Sequence, residues 1–130
     1  MTYADVEAHC LALAGVTREF PFGRSPVFKV GGKMFAVIST REDGKQTGVW
    51  FKAGAMSAAI LTRIDGIKPC PYLARAHWVA MEGLKPLRPK ELKGYLTRAH
   101  ALVASGLSKK KRQELGIADD LPTDGFAPFG

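Results

Sequence analysis

EFPFGRSPVFKVGGKMFAVI, residues 19–38, sets a turn, a strand, a two-glycine reversal and a second strand side by side. Pro21 and Gly23 punctuate its start, and Val27–Val30 is a short β-rich run. Gly31-Gly32 supplies the positive φ angles that a tight hairpin turn needs. Lys29 and Lys33 flank the reversal, so the hairpin offers solvent a tip that carries cations. Beyond it, strict alternation sends Met34, Ala36 and Ile38 to one face and Phe35 and Val37 to the other. Both sets are apolar, which implies a strand covered on both sides or near the middle of a sheet.

Working outward, Arg41–Gln46 (REDGKQ) reads as a second turn with Asp43-Gly44 as its reversal. Thr47–Lys52 makes a third strand, with Trp50 on one face and Val49 and Phe51 on the other. Three strands joined by short polar turns form an antiparallel meander. Ala53–Ile64 is alanine-rich, and Met56, Ile60 and Ile64 on one stripe predict a short helix ending near Asp65-Gly66. Pro69 and Pro71, around Cys70, exclude regular structure there, since each lacks a donor and restrains its predecessor. His77–Met81 reads as a short strand ending at Glu82-Gly83. Alternation would then set His77 and Trp78 on opposite faces.

The strongest helical signal runs from Pro89 to about Ser105, with Leu92, Leu96, Ala99, Leu102 and Val103 on one stripe. Pro89 suits its first turn. Gly106 interrupts the pattern, and Ser108 caps a brief basic helix through Leu115. At the other end of the chain, Thr2 caps a first helix with Val6, Cys10 and Leu13 on its apolar face and Gly15 as its stop. The fold class is α+β: an antiparallel sheet packed by an N-terminal helix and a long C-terminal helix. Residues 1–116 form one domain, and 117–130 read as a tail, extended or partly disordered, with Phe126 and Phe129 as its apolar anchors.

A chain of 130 residues is about one domain long and can bury a core without staples. MTYADVEAHCLAL lacks a basic leader and a long apolar run, so it does not read as a signal peptide, and the cytoplasm is the expected location. Cys10 and Cys70 show no paired or metal spacing and read as buried, reduced thiols. The net charge is +7, unevenly placed. Residues 1–113 hold all 19 bases against eight acids, a surplus of +11, while Glu114, Asp119, Asp120 and Asp124 give the remainder −4. A basic body with an acidic tail points toward polyanions as partners.

Three segments resemble the MmcQ/YjbR family of small bacterial proteins: ALAGVTREFPFGRSPVFKVGGKMFAVI (Ala12–Ile38), VWFKA (Val49–Ala53) and the His77-Trp78 pair. The resemblance spans roughly residues 3–107. It implies a fold similar to the bacterial frataxin homologue CyaY, likened to a double-wing DNA-binding architecture. The chain departs from the family pattern around His77-Trp78, where Ala76, Val79 and Ala80 stand at positions that tend to be polar.

The leading candidate site is a phosphate-binding surface built from Arg24, Lys29, Lys33, Arg41, Lys45 and Lys52, on or beside the hairpin turns, joined by Arg75 and His77. Such contacts hold a nucleic-acid backbone without reading its sequence. The plain alternative is that turn lysines only solvate the tips and block edge aggregation. Lys109-Lys110-Lys111-Arg112 points around most of a helix, which argues against groove reading; it can contact phosphate or complement the carboxyl end of the preceding helix, and a solvated charge run is the plainer reading. Phe20, Phe22, Phe28 and Phe35 surround the hairpin; exposed, they would stack on bases, but burial in the core is the expectation. No metal is expected: His9, His77 and His100 lack ligand spacing, and iron would need clustered oxygen ligands where the first helix offers only Asp5 and Glu7. No cofactor and no catalytic constellation are expected. The predicted function is therefore DNA binding by a monomer, with a protein-interaction or chaperone-like module as the alternative.

Overall fold

The computed structural model describes residues 1–117. The Gly31-Gly32 reversal is present, joining β2 (Ser25–Val30) to β3 (Lys33–Thr40) in antiparallel register with Val30 opposite Lys33. Both glycines take positive φ, +59° and +81°. The Asp43-Gly44 turn leads into β4 (Gln46–Lys52), which pairs with β3 through Val37 opposite Trp50. The meander is thus as the turn chemistry predicts. It is the middle of a six-stranded sheet, ordered β1-β2-β3-β4-β6-β5.

Two of those strands are additions to the sequence reading. Val16–Phe22 forms β1, paired with β2, where the sequence suggested a turn. Pro21 is tolerated because β1 is an edge strand and the register shifts between Glu19 and Phe22. Ile67–Pro69 forms β5 at the opposite edge, against β6 (Trp78–Glu82). Regular structure there was excluded on account of the prolines, but an edge strand needs donors on one side only. Cys70 then donates its N–H to the Trp78 carbonyl at 3.1 Å.

Helices cover one face of the sheet. Thr2 caps α1 (Tyr3–Leu11): its hydroxyl accepts from the Asp5 N–H at 3.1 Å, and its own N–H donates to Asp5 Oδ2 at 2.8 Å. α3 (Pro89–Ala104) lies across the middle strands and buries Leu92, Leu96, Ala99 and Val103, while Leu102 is only half-buried. These side chains meet Phe28, Phe35, Ile38, Val49, Phe51 and Met81 from the sheet. The opposite face holds a smaller cluster of Val27, Val37, Cys70, Trp78 and Ala80, partly roofed by Leu73. Ser108 caps α4 (Lys109–Glu114), accepting from the Lys111 N–H at 3.1 Å.

Alternation along β3 is broken. A bulge beside Phe35 shifts the register between Phe28 and Lys29, so Phe35 joins Ala36 and Ile38 in the helix-side core. Met34 and Val37 belong to the other cluster. One inserted residue is enough to swap a side chain's face. The short helix α2 (Ala55–Leu61) is likewise rotated from its predicted stripe. Ser57 and Leu61 are buried, whereas Met56 and Ile60 stand 59% and 60% exposed. Spacing of three and four fits either row; the chain direction out of Gly54, at φ +87°, decides between them. Ile117, assigned to the tail, is buried in the core; residues 118–130 lie outside the described residues.

Candidate nucleic-acid interface

The candidate cations fall at the two ends of the sheet. Lys33 begins β3 and Lys52 ends β4, so antiparallel pairing brings both to the Gly31-Gly32 end. They share a depression of about 250 Å³ with Met34, Trp78, Leu102 and Gly106. Lys52 Nζ donates to the Ala76 carbonyl at 3.2 Å, which places the loop carrying Arg75 and His77 at the same end. Arg24, Arg41 and Lys45 lie in turns at the other end. An eight-residue β3 separates the two groups by about 24 Å, at 3.3 Å per residue.

Each group has its own electrostatics. The Arg41–Lys45 tip contains Glu42 and Asp43 besides its two bases, and Arg41 Nη2 sits 2.9 Å from Asp43 Oδ2. That tip is neutral overall. Lys29, near the opposite end, is 3.3 Å from Glu19 Oε1 across the β1–β2 pair and half-buried. Among the described residues, Lys33, Lys52 and Arg75 enter no salt bridge. The sequence could not show this division, because it depends on which turns face which way.

His77 lies outside the strand. It takes a left-handed conformation, φ +62°, closing a 3-10 turn over Ala74–Ala76, and β6 starts at Trp78. The His77 ring is exposed and Trp78 is buried. Its carbonyl accepts from the N–H groups of Ala53 and Gly54, at 2.9 and 3.3 Å, which ties the loop to the end of β4. Tyr72 on the same loop is also left-handed, φ +65°, and fully exposed.

The basic run after α3 joins the same end. Leu107 covers Gly31, and Leu115 covers Gly15 just before β1. α4 is held between these two contacts, with Lys109, Lys110 and Lys111 exposed. Arg112 turns inward and donates to the Leu107 carbonyl at 2.5 Å.

The aromatic residues divide as well. Phe28 and Phe35 are fully buried, but Phe20 and Phe22 are 51% and 63% exposed, against the expectation of burial. They lie on the edge strand β1, which is exposed at every position beyond Val16. Both cysteines are buried; burial pushes the Cys10 thiol up to about 12 and the Cys70 thiol up to about 11. Among the described residues no His, Cys, Asp and Glu group could hold a metal ion. No helix among them is long and apolar enough to cross a membrane.

The family model YjbR matches residues 11–102. The chain belongs to the YjbR family. A solved structure of the Deinococcus radiodurans protein DR2400, which carries a DUF419 domain, superposes with a TM-score of 0.79 at 27% identity, covering 92% of this chain and 91% of that one. A Pseudomonas syringae protein of known structure shares the fold at a TM-score of 0.61 and 18% identity, over 76% of this chain and 96% of that one. A search of curated proteins finds no match.

Proposed function

We propose that this YjbR protein is a cytoplasmic DNA-binding protein that grips the phosphate backbone with one end of its sheet. Lys33, Lys52, Arg75 and His77 form the grip on one side, and Lys109, Lys110 and Lys111 extend it around the end of α3. The observation that carries the reading is the electrical contrast between the two hairpin tips. The Arg41–Lys45 tip balances its own charge, whereas Lys33 and Lys52 converge without a carboxylate partner. Unbalanced cations at one end of the sheet favour a polyanion and carry no sequence information. The two buried thiols are driven away from their nucleophilic form, so this reading gives neither a catalytic role.

The test is duplex DNA binding across a salt series. The six lysine and arginine side chains of the grip predict a slope of log K against log salt of about −5. A slope near zero, or no affinity at low salt, would remove the reading.

One observation favours the alternative of a protein partner: Met56 and Ile60 face outward together on α2. Under that reading a Met56→Glu, Ile60→Glu variant stays folded and loses the partner. Under the DNA reading it keeps full DNA affinity.

A further inference from the structure

At the end of the sheet away from Lys33 and Lys52, the β1–β2 and β3–β4 turns frame a cleft of about 470 Å³. Glu7, Arg18, Phe20, Arg24, Thr40 and Gln46 are among its lining residues. Its volume lies in the usual range for small-molecule sites.

Three features give this cleft a chemistry. Phe20 keeps about half its surface exposed, and the Arg18 guanidinium stands over its ring, 5.5 Å from the centroid. Arg18 is also paired with Glu7, so its charge is cancelled and its plane is held in place against the ring. Arg24, in contrast, enters no salt bridge among the described residues. Its Nη1 lies over Gly44, where an added methyl group would come within 3.2 Å. A glycine at that point leaves the guanidinium room to approach the turn. The cleft thus offers one half-exposed aromatic ring, capped on one side by Arg18, and one bidentate-capable cation outside any salt bridge among the described residues. The half-buried Gln46 amide, also in the lining, has both a donor and an acceptor to offer.

We propose that this cleft binds a nucleotide, its base stacked on Phe20 and its phosphate on Arg24. A flat ring is what an exposed phenylalanine face recognises, and a phosphate matches the guanidinium fork. The ligand is either a free mononucleotide or the terminal nucleotide of a single strand, because both present a base beside a phosphate. The site stands apart from the lysine end and does not depend on it.

The experiment is an NMR titration of the labelled full chain with AMP, adenosine, inorganic phosphate and a 5′-phosphorylated single-stranded oligonucleotide. AMP is expected to shift the signals of Phe20, Arg24 and Gly44. Adenosine and phosphate alone should each bind at least about tenfold more weakly. Phe20→Ala and Arg24→Ala should each weaken AMP by about tenfold or more, and both side chains are exposed, so the fold survives. Tighter binding of the oligonucleotide than of AMP at these signals makes the strand end the ligand; weaker binding makes it the free nucleotide. Lys33→Glu, Lys52→Glu should leave AMP affinity unchanged, which separates this site from the DNA-binding end. Absence of AMP shifts at the cleft, AMP and adenosine binding alike, or indifference to both cleft variants would overturn the proposal.

Discussion

Leu107 lies against Gly31 so closely that a methyl group on that glycine would stand 2.6 Å from Leu107 Cδ1. The link between α3 and α4 is thereby packed on the hairpin tip. Gly31→Ala should therefore cost more than the left-handed backbone alone, about 2–4 kcal/mol in total. Gly32→Ala, at φ +81° with nothing within 4 Å, should cost only about 1–2 kcal/mol. Denaturant melts of the two variants make the comparison. Equal losses would mean that Leu107 yields freely and that α4 is not fixed to the tip.

His100 gives the fold a dependence on acid. It is buried, its Nε2–H donates to the Ala14 carbonyl at 2.7 Å, and its ring meets Phe35 edge-on. Because a carbonyl can only accept, Nε2 carries the proton of the neutral ring. Burial holds its pKa below the usual histidine value of 6.5, and burial lowers that of His9 too. Above pH 6.5 the folded and unfolded rings are both neutral. As the pH falls, the unfolded chain takes up its proton first, so stability is lost on the way down through the folded pKa. The loss approaches at most about 1.4 kcal/mol per pH unit per histidine. Melting temperatures should drop between pH 7 and pH 5, and His100→Gln should flatten part of that drop. A profile identical in wild type and variant would show that His100 titrates as it does in water.

The two thiols should be inert in the native state. Cys10 has no exposed surface and Cys70 is 1% exposed. With their pKa values pushed to about 12 and about 11, the thiolate fraction at pH 8 is minute. Reaction with a disulfide reagent should be at least about 100-fold slower than for a free cysteine and recover in denaturant. Cys70 should react first, since its small cluster is covered by the partly buried Met34, Trp50 and Leu73, while Cys10 sits in the main core. Rapid native labelling of Cys10 would contradict the packing of α1.

How much of this was legible in the sequence follows from what each signal encodes. Gly31-Gly32 and Asp43-Gly44 mark turns through backbone conformation, a local property, so the meander could be read directly. Leu92, Leu96 and Ala99 announce α3 because burial of a helix face repeats every three to four residues. Pro21 and Pro69 hid two strands, since the rule against proline applies to central strands and the sequence does not say which strands are edges. The faces of Phe35 and Met56 were misjudged for related reasons. One extra residue in a bulge, or one rotation out of Gly54, changes what faces inward without changing the spacing. The candidate cations were visible as residues, but their separation into a balanced tip and an unbalanced end exists only once the sheet has formed. The Phe20–Arg24 cleft was hidden because it depends on β1 lying at the edge.

The proposed DNA binding depends on Lys33 and Lys52 acting together at one end of the sheet. The direct measurement compares duplex DNA affinity, at low salt, for wild type, Lys33→Glu/Lys52→Glu and Arg41→Glu/Lys45→Glu, with folding checked by circular dichroism. The first pair should lose at least about 100-fold, in line with two reversed phosphate contacts. The second, on the balanced tip, should lose far less. Equal losses in the two variants, or wild-type affinity in the first, would contradict it.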